Sequence, residues 1–499
     1  MNTKAELLRL NTGTLHETSE DFTLPDYLPE IRRILSCTGA VLPESRYVDR
    51  GEVVLSGLVL ASVCYVGDDG TLCSFPMNSE YTAKLSLSGH DAEALSADGM
   101  TVRTALESIG ARATGPRRMS LSARMRSGIL STEESELPFE LSASDGTECN
   151  MSDELSLEKR TFPKEYTTIS PLSASGSVSG ELRERDGTDI ISCEGVCSVS
   201  SASADSDVVT IRGDVYIKCL AGDGEGGYFT SNVKAPFEER LAVKEKNDGE
   251  GACYAMGKVR CASVKLHGGE EGVYTWEAEY DAEAILCRDR SATVTDDVYS
   301  TAYESELTKA SAPVVRCLAA TNPRLSVNAS KQVTGETGKE AVFSSAKASV
   351  DRTDCSADGK LTVNGSCTVT AVLADDDGVV SEEITVPYRY ECDCKKPEGA
   401  VLPVMCDVCV ISSEAALEGD KLSVSCELNF SILGLESTDV GYVSRVQLRR
   451  DAPAGIGKST VKLYFPYENE TAWDIGKRYH CEMKCIKKMD NENCVLISM

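Results

Sequence analysis

Three stretches of this 499-residue chain superpose without a gap when aligned on Gly57, Gly213 and Gly365. Two and four residues to either side of the glycine stand Val53, Leu55, Val59 and Ala61, then Val209, Ile211, Val215 and Ile217, then Leu361, Val363, Cys367 and Val369. Thirteen residues after each glycine another follows, Gly70, Gly226 and Gly378, closing an acidic turn (GDDG, GDGEG, DDDG). Twenty before it stand Cys37, Cys193 and Ser345. A register held over more than thirty residues means one structural unit written three times.

Apolar residues at every second position define a strand with one buried face, because successive side chains point to opposite sides of a sheet. In the second copy the wet set is Thr210, Arg212, Asp214, Tyr216 and Lys218, the pattern of an antiparallel sheet covered on one side. A glycine inside such a strand marks a bulge or the close approach of another group. The glycine turn predicts a hairpin return, and each copy then reaches a proline, Pro76, Pro236 or Pro387. A second long alternating run follows in each copy: Met119 to Met125, Tyr274 to Leu286, and Leu422 to Ile432. Each repeat thus spans about 140 to 150 residues, the size of a domain. The expected fold is mainly β: three tandem β-sandwich-like repeats at 24–160, 161–312 and 313–452, preceded by a segment 1–23 and followed by a small module at 459–499.

A net charge of −28 argues against nucleic-acid binding and against docking on anionic lipid, both of which need a basic surface. No apolar run reaches transmembrane length, and the amino-terminal stretch lacks a signal-peptide core, so a cytoplasmic protein with no membrane span is expected. The 21 cysteines lie scattered on strand positions, as buried reduced thiols do. Cys392, Cys394, Cys406 and Cys409 offer the four thiolates a structural zinc needs, although the first two also continue the alternation of a strand. Only four histidines exist (His16, His90, His267, His480), and no nucleophile elbow, phosphate loop or zinc-protease motif is present. The aspartates of the acidic turns, Asp68, Asp69, Asp223 and Asp375 to Asp377, lack the spacing of a calcium loop. The expectation is a protein without catalytic residues or cofactor.

After a linker from Asp451 to Thr460 the composition changes. Val461, Leu463 and Phe465 alternate as a short strand. Thr471 followed by Asp474 forms a capping-box pattern, and Ala472, Ile475 and Tyr479 share one helical face. A second apolar stripe at Met483 and Ile486 predicts another helix, and Val495 to Ile497 a last strand, giving the order βααβ.

Glu470 to Tyr479 (ETAWDIGKRY) resembles the DTLWDIAKRY signature of LysM domains, and Met489-Asp490-Asn491 stands where that family has its LNN. Asn469 replaces the family's usual glycine, and the stretch from Asn491 to Val495 is shorter than its usual loop. LPDYLPEIRRIL, VVLSGLVLASVCYV and ATGPRRMSLSARM resemble the SPOCS domain of spore-forming Firmicutes. The whole arrangement is similar to SipL-type spore-coat morphogenetic proteins. That resemblance implies a non-enzymatic scaffold of the mother-cell cytoplasm, located at the forespore surface, that tethers coat material there. Its LysM-like end would dock through Trp473, Asp474, Ile475 and Tyr479 on the basement-layer ATPase of the coat (SpoIVA-type), among other coat proteins. The alternative is a peptidoglycan-binding protein of the spore cortex or cell wall.

Overall fold

The computed structural model describes residues 4–86, 100–136, 139, 156–205, 207–243, 251–268, 272–334, 338–375, 378–454, 461–489 and 494–498. The first unit holds β1 (Lys4–Thr23), β2 (Ile31–Asp49), β3 (Glu52–Gly67), β4 (Leu72–Ser86), β5 (Met100–Gly115) and β6 (Arg118–Glu136). The second holds β7 (Leu157–Arg183), β8 (Asp189–Ala204), β9 (Val208–Gly222), β10 (Tyr228–Ala242), β11 (Cys253–Gly268) and β12 (Val273–Ser300). The third holds β13 (Tyr303–Thr321), β14 (Arg324–Gln332), β15 (Glu340–Cys355), β16 (Lys360–Asp375), β17 (Gly378–Asp393), β18 (Ala400–Val401), β19 (Met405–Glu418) and β20 (Lys421–Pro453).

Every unit pairs these strands in the same antiparallel way. A hairpin sheet has the glycine strand at its centre (β2-β3-β4, β8-β9-β10, β15-β16-β17), and a second sheet is centred on the last long strand (β1-β6-β5, β7-β12-β11, and β20 with β13, β14 and β19). The apolar faces of the two sheets meet in one core per unit, as in a sandwich. All the alternating apolar positions around the three glycines are buried. The residues expected to form an amino-terminal segment are instead the outer strand β1, paired along β6 from Lys4 to Thr23. The expected limits at 160/161 and 312/313 fall inside β7 and β13, so sheet pairing draws the units at 4–136, 157–300 and 303–453.

The glycines recur for a steric reason. Gly57, Gly213 and Gly365 lie directly opposite Tyr81, Phe237 and Tyr388 on the next strand. Those rings occupy the space a side chain would need: a Cβ would stand 2.9 Å from the Tyr81 ring, 2.6 Å from Phe237 and 2.5 Å from Tyr388. On the other side each glycine meets a bulge, after Pro43, Val199 and Val350. The prolines are not the repeated feature. Pro236 and Pro387 pair one residue after the glycine, whereas Pro76 pairs with Ser62, five after it, so the first copy has its ring opposite the glycine but its proline elsewhere on the return strand.

The carboxy-terminal module has a three-stranded antiparallel sheet, β21 (Val461–Tyr464), β23 (Val495–Ser498) and β22 (Ile486–Lys488), in the order β21-β23-β22. One helix, α1 (Ala472–Tyr479), packs on it. Thr471 caps α1 in a capping box with Asp474, as the sequence predicts. The second helix does not form: Met483–Cys485 is a single 3₁₀ turn leading straight into β22, so the order is βα followed by two strands and not βααβ. No helix among the described residues is long and apolar enough to cross a membrane.

Candidate functional site

The three units meet around a common axis, and the repeat itself builds the meeting point. Twenty-two residues before the glycines stand Leu35, Ile191 and Phe343, and seven after them Cys64, Leu220 and Val372. All six gather in one apolar cluster shared by the three units. Apolar residues repeated at two positions have become a hub.

Beside the hub lies a cavity of about 1330 Å³, walled by residues of β2, β8, β15, β5, β11 and β19. Most of these six are outer strands of their sheets, whose unpaired edges would otherwise invite other chains; turning them toward the axis hides them. Three charged residues at equivalent places cross-link the units there. Arg103, Lys258 and Asp407 each stand three residues before a bulge, in β5, β11 and β19. Asp407 accepts from Arg103 Nε at 2.5 Å and from Lys258 Nζ. Burial pushes the Asp407 carboxyl up, but the two cations outweigh it and hold it far below the usual carboxylate range. Burial, together with Arg260 nearby, lowers the Lys258 ammonium to about 8. Further round the axis, Thr38 Oγ1 donates to Glu194 at 2.6 Å, and Lys218 Nζ reaches the carbonyl oxygens of Ser344 and Ser413 at 2.5 and 2.8 Å. The cavity wall carries six lysines and arginines against four acids, so the acidity of the chain lies elsewhere.

No reacting constellation forms at the other sequence candidates. The His16 ring lies tilted against Tyr81 with neither ring nitrogen hydrogen-bonded, and burial lowers its pKa. His267 is exposed and His480 is taken up in an internal contact described below; His90 lies outside the described residues. The turn carboxylates cap their own turns: Asp69 accepts from Thr71, Asp223 from the Glu225 and Gly227 amides, and Asp375 from the Gly378 amide. Asp376 and Asp377 lie outside the described residues. The four cysteines considered for zinc do not converge. Cys394 stands 3.4 Å from Cys355, Cys406 is in the core of the third unit, and Cys409 faces the Cys197 carbonyl of the second. Among the described residues no group of three or more His, Cys, Asp or Glu is arranged to hold a metal.

The LysM-like residues form an internal dock. Trp473 is buried against the end of β12, its Nε1 donating to Asp297 Oδ2 at 2.8 Å and its ring meeting Tyr299 edge-on at 4.9 Å. Lys477 Nζ reaches the same carboxylate at 2.7 Å. Tyr299 donates to the Cys481 carbonyl at 2.6 Å, filling the space left open by Gly476, and His480 Nδ1 lies 2.9 Å from the Ser300 carbonyl. Ile475 belongs to the module's own core, and Tyr479 is half-buried between Tyr464 and Lys462. Of the four residues expected at a partner surface only Asp474 is exposed, and it is engaged in the helix cap. Asp490 and Asn491 of the LNN-like stretch, and linker residues 455–460, lie outside the described residues. Sequence reasoning missed Asp297 and Tyr299; the signal available was the break in alternation at Thr295-Asp296-Asp297, where the structure has a bulge.

What the module leaves exposed is a different set. Val461, Leu463, Phe465 and Tyr467 are half or more exposed, and Val461 and Leu463 share the outer face of the sheet with Leu496. The module carries six basic and six acidic residues, so the net negative charge belongs to the repeats.

Comparison with known proteins finds no matching family model, no matching curated protein and no matching solved structure.

Proposed function

We propose that this chain is a non-enzymatic assembly scaffold of the spore coat, a mother-cell protein that holds coat material at the forespore surface through its LysM-like end. The observation that carries the reading is a division of labour. Three units are locked to one another about an axis, while the carboxy-terminal module, docked on the second unit, keeps Val461, Leu463 and Phe465 exposed among the described residues. Contiguous exposed apolar surface rimmed by polar groups marks contact with another protein more often than a catalytic site. The partner implied by the SPOCS and LysM resemblance is the basement-layer ATPase of the coat. The surface offered to it is the outer sheet face around Leu463 and Phe465, since Trp473 and Ile475 are engaged inside the molecule.

The test is localisation of a fluorescent fusion in sporulating cells, with the intact chain and with Leu463→Glu/Phe465→Ser. A shell around the forespore that is lost in the double variant, with the fold preserved by circular dichroism, supports the scaffold. An unchanged shell removes this face from the reading. Co-sedimentation of the intact chain with peptidoglycan would favour the glycan-binding alternative.

A further inference from the structure

Two pairs of described cysteines bring their sulfur atoms to 3.4 Å, Cys193 with Cys219 and Cys355 with Cys394, and the second pair is placed at a point of mechanical consequence. Cys355 ends β15, Cys394 follows β17 by one residue, and their sulfur atoms are 3.4 Å apart. β15 and β17 never pair with each other; they flank β16. Cys355 lies opposite Leu361, and Leu361 opposite Cys392, so Cys394 arrives just beyond the start of β16, its amide bonded to the Gly359 carbonyl at 2.8 Å. The two thiols therefore close the open end of the hairpin sheet. The matching ends in the other units, Asp49 and Ser86, and Ala204 and Ala242, carry no sulfur.

We propose that Cys355 and Cys394 are a disulfide-forming modification site, closed by a low-molecular-weight disulfide such as oxidised glutathione. One cysteine thiolate attacks a sulfur of the reagent, the reagent's S–S bond breaks, and one glutathione thiolate leaves. The second cysteine, as its thiolate, then attacks the protein sulfur of the mixed disulfide and expels the other glutathione. The two thiol protons go to solvent or to the departing thiolates, the protein loses two electrons and the reagent gains two. Sulfur atoms in contact need to close only to about 2.05 Å for the bond to form. Both residues are half-buried, so the reagent can reach them, whereas Cys219 of the equally close Cys193/Cys219 pair is fully buried. Burial raises the Cys394 thiol to about 12, so closure quickens as pH rises.

The bond would tie off a loop of 39 residues at the crossover between the two sheets of the third unit. The next residue anchors that crossover: Lys395 donates through its amide to Leu318 and through Nζ to Asp289 of the second unit at 2.6 Å. Oxidation thus fixes the crossover segment through which Lys395 ties the third unit to the second.

The experiment uses the full chain incubated with oxidised glutathione at pH 8 and again near pH 7, followed by peptide mass mapping. The expected product is one cross-linked peptide pair joining Cys355 to Cys394, lighter by two hydrogens, formed faster at pH 8, reversed by a reductant, and formed before any Cys193–Cys219 link. The melting midpoint of the oxidised chain should rise. Cys355→Ser should instead trap a glutathione adduct at Cys394. Wild-type chain that keeps both thiols free, or carries glutathione separately on each, overturns the proposal without reference to any variant.

Discussion

The hub and the carboxy-terminal dock join parts of the same molecule by opposite means. At the hub, one apolar solution is written three times at fixed distances from the glycines, and the threefold arrangement brings the copies together through apolar contact. At the dock, a helix presents Trp473, Lys477 and His480 to a strand end that only the second unit supplies, Asp297-Val298-Tyr299-Ser300. The matching end of β20 reads Arg449-Arg450-Asp451-Ala452-Pro453, which has neither the ring nor the carboxylate in that order. A symmetric joint follows from repetition alone; attaching one module to one of three like units requires departure from it. The first kind of joint should therefore fail globally and the second locally.

The largest effect should come from the hub. Leu220→Asp places a carboxylate at a fully buried position where three units meet. Leaving it ionised or taking up a proton both cost free energy, and lost apolar packing adds to this, for a total of about 4 to 5 kcal/mol. Urea unfolding followed by amide exchange should show β3, β9 and β16 all losing protection. Loss confined to the second unit would mean that the ring is not one cooperative body.

A middle effect belongs to the ionic joint at the axis. Asp407→Ala leaves Arg103 and Lys258 without their shared carboxylate; because all three side chains line the cavity and keep some exposure to solvent, the cost should fall at or below the low end of the about 3 to 5 kcal/mol of a fully buried broken pair. Asp407→Asn keeps an acceptor and should lose less. The comparison sharpens because Arg103 comes from the first unit, which has fewer polar links to its neighbours than the second has to the third. Loosening should appear first in β5, read by amide exchange. Equal loosening of β5 and β11 would deny any special dependence of the first unit on this carboxylate.

These joints were unequally legible in the sequence. Alternation and glycine spacing reveal the strands, the three cores and the acidic hairpin turns, because each depends on residues within one or two strands. The same alignment contains the hub, since Leu35, Ile191 and Phe343 fall in register, but apolar residues in register also describe three independent domains; only the closed arrangement distinguishes them. The aromatic partners of the glycines were hidden because the prolines do not keep register: Phe237 and Tyr388 follow Pro236 and Pro387 directly, whereas Tyr81 stands five residues after Pro76. The second module helix failed for a local reason. Lys484, Lys487 and Lys488 surround only two apolar positions, too little stripe to hold a helix, and the chain takes a strand beside β23 instead. At the dock the helix cap was readable and the burial of Trp473 was not. An aromatic on an amphipathic helix looks the same whether it faces another protein or a strand of its own chain nearly two hundred residues away.

The smallest effect, and the one that separates the two joints most cleanly, is at Asp297. Asp297→Ala removes the acceptor of both Trp473 and Lys477 and should cost about 1 to 3 kcal/mol, confined to the module. Amide exchange of residues 472–485 should accelerate while β9 and β16 stay protected; a global loss would show that the module is part of the ring's cooperative unit. Acid provides the same test without mutation. Burial pushes the Asp297 carboxyl up, but the Lys477 ammonium and the Trp473 donor outweigh it, so its pKa in the folded chain lies below the ordinary 3.8. A lowered folded value means that its contribution is complete above about pH 4 and is lost as pH falls through that lower value. Arg160, Asp296, Asp474, His480 and Glu304 surround the dock, and protonation of Asp474 also weakens the helix cap in the same range. The Asp297→Ala chain is therefore the reference. Its module exchange should respond less to acid than wild type by the share that Asp297 carries, and an identical acid response in both would place the sensitivity in the cap and not in the dock.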